Sequence, residues 1–206
     1  MTSFQKGFGT AYETYLLRGI FDQIKQRYGI RDAIEYPHSG LLDGSILGSD
    51  VTSNNEQAHT ADLVWSFCCF EQVEDSRTLI KEALEKTNEY LLLVIQNSRN
   101  PGVTLHWTYH KILGRPWDHG KIIRMRPSVL RRALTEMGLA VVEDGFFDLP
   151  WFVLDIYECG SFLRKLVPES MLDYRHTIMP SKFERMPRFV KSLLAHHYYT
   201  LTRKAN

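Results

Sequence analysis

His106, His110 and His119 lie in one stretch, "NSRNPGVTLHWTYHKILGRPWDHGKIIRMR", interleaved with Trp107, Tyr109 and Trp117. An imidazole can take up a proton near neutral pH, and indole or phenol rings can wall a flat or cationic molecule. His119, His110 and Tyr109 are therefore the candidate catalytic residues. In "RPWDHG", Gly120 permits a tight turn that could present Asp118 and His119 to a cleft. His106 and His110 are also spaced to share one helix face. By count alone the three histidines could hold a cation, but they lack a carboxylate or thiol companion at an established spacing, so no metal is expected. His196 and His197 are adjacent in a stretch that reads as a strand, so they should point to opposite faces and not share an ion.

Such residues need a scaffold, and the chain supplies one in a regular order. From Ala11 to Tyr28 the residues Tyr12, Tyr15, Leu16, Gly19, Ile20 and Ile24 suggest one face of a helix, which Gly29 can end. "RDAIEY" reads as a short strand running into Pro37 and a loop of glycine and serine. "ADLVWSFCCF" and "EYLLLVIQN" are nearly continuous apolar runs, the pattern of strands covered on both faces. Between them "SRTLIKEALEKTN" forms a helix, with Ser76 as candidate N-cap and Leu79, Ile80, Ala83 and Leu84 as its stripe. This strand, helix, strand unit implies a right-handed crossover. A loop from Ser98 to Arg126 follows. "PSVLRRALTEMG" then repeats the helix signals, with Pro127 at its start and Gly138 past its end. "LAVVEDGFF" and "HHYYTLTRK" complete the strands. The expected fold class is α/β: a Rossmann-like, mostly parallel sheet flanked by helices, with an antiparallel final strand and a helical insertion before it. The whole chain, 1–206, reads as a single domain in which 148–195 is an insertion or lid.

In order, "IEYPHSG", "ADLVWSFCCFEQVED", "LIKEALEKTNEYLLLVIQN" and "RPSVLRRALTEMGLAVVEDGFF" resemble the class I S-adenosylmethionine-dependent methyltransferases. The similarity spans roughly Ala11 to Phe147 and the final strand. Family members commonly carry "EH" where this chain has Glu71-Gln72, so the resemblance gives Gln72 no acid–base role. Where the family ends its first strand in a run of glycines, this chain has Glu35-Tyr36-Pro37-His38-Ser39-Gly40, and Pro37 fixes its own φ and removes a donor. The resemblance implies S-adenosyl-L-methionine as cofactor, with Glu35, Pro37, Ser39, Gly40, Asp50, Ser66 and Phe67 as the cofactor-binding candidates. Asp50 takes the adenine contact if "SILGSD" is the third strand of the family's order, or the ribose contact if it is the second. The implied activity is methyl transfer to a small, hydrophobic acceptor. The alternative is a methyltransferase-like binding or regulatory subunit that has lost its donor site.

Composition bounds these readings. The 206 residues carry a formal net charge of +1 with 44% apolar residues, which excludes a strongly basic nucleic-acid binder and a disordered chain. The basic run of Lys121, Arg124, Arg126, Arg131 and Arg132 reads as the solvated approach and face of a helix rather than a phosphate-binding patch. No apolar run is long enough for a transmembrane segment, and the first residues lack the pattern of a secretory signal, so a cytoplasmic location is expected. Cys68, Cys69 and Cys159 show no metal spacing and read as buried thiols. The apolar insertion at 148–195 is a candidate surface for covering the acceptor or for meeting a second copy or another chain.

Overall fold

The computed structural model describes residues 11–37, 60–148 and 183–204. Ser39, Gly40, Asp50, Cys159 and most of the insertion lie outside the described residues. The first helix, α1 (Ala11–Tyr28), leads into β1 (Ala33–Glu35). Then come β2 (Ala61–Phe67), α2 (Ser76–Glu85), β3 (Thr87–Gln96), α3 (Pro101–Ile112), a 3₁₀ turn (Ile122–Met125), α4 (Pro127–Glu136), β4 (Ala140–Phe147), α5 (Arg188–Leu194) and β5 (His197–Arg203). Among the described residues the strands form one sheet in the order β1-β2-β3-β5-β4. β1, β2 and β3 pair in parallel, and β5 runs antiparallel to both β3 and β4. The expected fold class is borne out.

Side-chain alternation divides the core into two layers. Leu63, Trp65 and Phe67 of β2, with Tyr90, Leu92 and Val94 of β3, pack beneath Leu17, Phe21 and Ile24 of α1. The intervening Val64, Leu91, Leu93 and Ile95 pack on the other face against Leu79, Ile80 and Ala83 of α2 and Leu130 and Leu134 of α4. Both faces of β2 and β3 are thus dry, which is why these strands read as unbroken apolar runs. The Arg31 guanidinium clasps the Asp62 carboxylate, and Asp32 accepts the Asp62 N–H at 2.8 Å, fastening short β1 to β2.

Three local expectations need correction. The α1 stripe is shifted: Leu17 and Phe21 join the expected Ile24 as fully buried, the expected Leu16 and Ile20 are half buried against the same core and border a cavity, and Tyr15 is 71% exposed. The N-cap of α2 is Asp75, not Ser76, because its carboxylate accepts from the N–H groups of Arg77 and Thr78. The stretch 98–126 is not a loop throughout, since α3 occupies its first half; Asn100 caps that helix by accepting from Gly102 N, and Pro101 opens it. The capping signal stood in "NPG", but the histidines and aromatics around it masked the helical period. The basic run, read as a solvated face, is partly tied into the fold: Arg124 donates to the Val73 and Glu74 carbonyls and Arg131 pairs with Asp144. No helix among the described residues is long and apolar enough to cross a membrane.

Candidate functional site

The parallel strands and β4 deliver their carboxyl ends to one edge of the sheet, and β5 starts there. The segments that meet at this edge carry several buried titratable groups, among them Glu71, His119, Asp148 and His196. β2 ends at Phe67, and Cys68 takes a φ of 53° that breaks the extended run. The chain then turns Glu71 inward. Its side chain is fully buried, and one carboxyl oxygen accepts the Gln96 N–H at 2.9 Å at the end of β3. Burial pushes the Glu71 carboxyl up to about 7, against the Gln96 N–H, the Cys68 thiol and the neighbouring His196, all of which favour the ionised form.

His196 is placed by two asparagines. Asn97 donates from its side chain to the Ser192 and Ala195 carbonyls, Asn100 donates to that of Leu194, and the Asn97 N–H bonds the His196 carbonyl at 2.7 Å. This pins the turn after α5 over the end of β3. Asp148, just past β4, accepts the His196 N–H on its main-chain oxygen, and its carboxylate lies 3.1 Å from His196 Nδ1 and 3.6 Å from His197 Nδ1. The two rings are 4.1 Å apart between centroids. Opposite faces were expected for this pair. His196 instead sits in the bend before β5, where strand alternation has not begun, so both rings turn toward one carboxylate. Burial would raise the Asp148 carboxyl, but the hydrogen bonds and charges of His196 and His197 outweigh it and hold that group far below the usual carboxylate range.

The sequence-predicted histidines also converge. α3 projects His106 and His110 from one face, and the "RPWDHG" turn brings His119 onto them. The ring centroids are 4.5 Å apart for His106 and His110, 4.9 Å for His106 and His119, and 5.6 Å for His110 and His119. Trp117 packs edge-on or tilted against all three. Its indole N–H donates to the Gly120 carbonyl at 2.6 Å, and the Pro116 carbonyl lies 2.7 Å from His110 Nδ1. Burial, then the charge of His106, lowers the His119 pKa to about 4 despite Asp118, whose carboxylate lies 3.4 Å from His119 Nε2. His119 is therefore neutral at neutral pH. Tyr109 turns aside, its ring 6.5 Å from His110 and beneath the Arg115 guanidinium.

The turn rests on Gly120, whose φ is +92° and where a Cβ would come within 2.5 Å of the Glu71 carbonyl oxygen. Lys121 N donates to that same oxygen at 2.8 Å. Gly120→Ala is expected to cost about 1–2 kcal/mol in conformational strain alone and to withdraw His119 from its neighbours. A urea melt and the imidazole proton resonances check both parts.

Glu35 and Pro37 end β1 beside β2, with Glu35 in register with Trp65, next to Ser66 and Phe67. These four cofactor-binding candidates therefore lie together at the same edge. A cavity of about 460 Å³ opens under α1 at the end of β4, bordered by Leu16, Ile20, Phe146, Phe147, Tyr199 and Asp148. Glu71, Asp148, His196 and His197 were not among the sequence candidates. An acid directly after an apolar run that ends a strand was the available signal for Glu71 and Asp148.

The chain matches no protein-family model and no curated protein. Solved structures do match. Magnesium protoporphyrin IX methyltransferase from Synechocystis PCC 6803, with bound SAH, superposes with a TM-score of 0.53 at 7% identity, over 98% of this chain and 91% of that one. A methyltransferase-like protein from Bacillus halodurans C-125 gives 0.50 at 11% identity, over 91% of this chain and all of that one. The shared property is the fold.

Proposed function

We propose that this chain, which has the fold of the class I methyltransferases, transfers a methyl group from S-adenosyl-L-methionine to a small, apolar acceptor. The observation that carries the reading is the convergence, at the carboxyl edge of a parallel sheet, of the β1 and β2 ends with a group of imidazoles and carboxylates. Ligands of open α/β sheets lie at that edge. The residues fit the donor chemically. Glu35 and Pro37 are half buried at the end of β1, and Glu35 offers a carboxylate for a cationic methionyl group; Ser66 and Phe67 are buried and back this edge rather than offer surface on it. When bound, the donor supplies the electrophilic methyl carbon and the leaving sulfide. The chain's own part is alignment, exclusion of water and handling of the acceptor proton.

His119 and His110 are the groups proposed for that proton, because His119 is kept neutral and presents a lone pair. Tyr109, at the outer side of His110, is proposed to wall the acceptor rather than to transfer a proton. The cavity under α1 falls within the size range of small-molecule sites; Leu16, Ile20, Phe146 and Phe147 give it an apolar part, while Arg18, Asp22, Asp148 and Lys191 give it a charged rim suited to an acceptor with a polar end. Asp148, in the cavity wall, contacts His196.

Calorimetric titration with S-adenosylhomocysteine tests the reading. One-site binding and a raised melting temperature are expected, since the ligand stabilises only the native state. Glu35→Ala should weaken that binding about tenfold, the loss of one hydrogen bond to a charged group. A folded protein that ignores the ligand at about millimolar concentration would instead be a methyltransferase-like binding subunit.

A further inference from the structure

We infer that His106, His110 and His119 form a binding site for a divalent transition-metal ion, zinc by their chemistry. Their donor atoms all lie within 4.8 Å of one another. That is a short inward movement from the spacing of three nitrogens on one tetrahedral ion, whose Zn–N bonds are about 2.0–2.1 Å. Two features distinguish the cluster from stacked aromatic side chains. The Pro116 carbonyl, 2.7 Å from His110 Nδ1, accepts that N–H and leaves the lone pair on Nε2. This is how a carbonyl behind a ligating imidazole fixes tautomer and ring orientation. At His119 the Asp118 carboxylate, which the sequence already set beside it, lies 3.4 Å from Nε2 and leaves Nδ1 as the nitrogen for the ion.

His106 and His119 are buried and His110 is half buried, so the three rings meet largely away from water. A cation among them would take one nitrogen from each ring. Three neutral imidazoles with a fourth position left for water or substrate suit Zn²⁺ with a Lewis-acid role. Ca²⁺ and Mg²⁺, which take oxygen ligands, do not fit. Trp117 closes one side. The assignment stands on donor geometry and does not depend on the methyl-transfer reading. If both hold, the His110 and His119 nitrogens are taken by the ion, and the acceptor proton would pass to water held at the ion's fourth position instead of to either imidazole.

Untagged full-length protein, stripped with a chelator, is titrated with Zn²⁺ alone by calorimetry, and with Co²⁺ followed by visible absorption and tryptophan fluorescence. The expected result is about one equivalent of metal, the absorption of a four-coordinate cobalt site and quenching of Trp117. His110 is only half buried, so His110→Ala should fold and bind about tenfold or more weakly. His110→Gln, which keeps a donor for the Pro116 carbonyl, should show the same loss and serves if the alanine variant is unstable. No binding by the wild type, or wild-type binding by the folded His110 variants, overturns the site. S-adenosylhomocysteine binding is measured on the same samples, so failure of the metal site and failure of the donor reading appear separately.

Discussion

Glu71→Gln is expected to be more stable than the wild type at about pH 8, by about 3 kcal/mol, with the difference closing as the pH falls to about 5. The carboxyl is fully buried, and its pKa rises from 4.5 in the unfolded chain to about 7 in the folded one. Between those values the folded state holds the proton more often than the unfolded state, so wild-type stability falls as pH rises through the interval. Above it the ionised carboxylate is buried, and the Gln96 and Glu71 N–H groups, the Cys68 thiol and His196 together do not make up for the water it has lost. Glutamine keeps an acceptor for the Gln96 N–H and carries no charge. Urea melts of both proteins in chelator-treated buffer at the two pH values measure the gap, and an equal gap at both would refute the assignment. A stabilising replacement of this kind identifies Glu71 as a group kept for function at the expense of stability. Its place at the end of β2, beside His196, agrees with such a role.

How visible this was beforehand depended on the range of the interactions. The apolar runs 61–70 and 89–97 announced buried parallel strands because both faces of each are covered, a property written in every residue of the run. Pro127 and Gly138 likewise mark α4 locally, since Gly138 adopts a φ of +76°. The α1 stripe was legible only in part, because Leu16 and Ile20, which pack at its margin, are as apolar as Leu17 and Phe21 at its centre. Only the position of the sheet and of the cavity decides between two overlapping stripes. The site was legible in its pieces and not in its assembly. His106, His110 and His119 stood out by type, but their closure depends on how the Gly120 turn docks on the Glu71 backbone. The group of Asp148, His196 and His197 joins residues far apart in sequence through the pairing of β4 with β5. The rule that adjacent residues on a strand face apart misled there, because the strand starts one residue later than the histidine pair.

Asp148 carries the larger structural consequence. Asp148→Ala is expected to destabilise the fold by about 3–5 kcal/mol, the cost of breaking a buried charge arrangement by removing one partner. For a chain of this length that corresponds to a melting temperature lower by on the order of 10 °C. Both His196 and His197 face this carboxylate, and all three side chains are buried. The backbone adds a second contribution, since Asp148 has a φ of 62°, a conformation that aspartate and asparagine tolerate better than alanine. Two further variants divide the effect. Asp148→Asn retains the backbone preference and loses the charge, whereas Asp148→Gly relieves the backbone and loses the side chain. If the ion pairs dominate, both fall close to alanine; if the backbone dominates, both recover most of the loss. The sign with pH follows from a carboxyl pKa held below its ordinary 3.8. The wild-type advantage over Asp148→Asn is present above about pH 4 and declines as acid protonates the folded carboxylate. An advantage that instead grew below that pH would show that Asp148 is neutral in the folded protein and that the two histidines are held by something else.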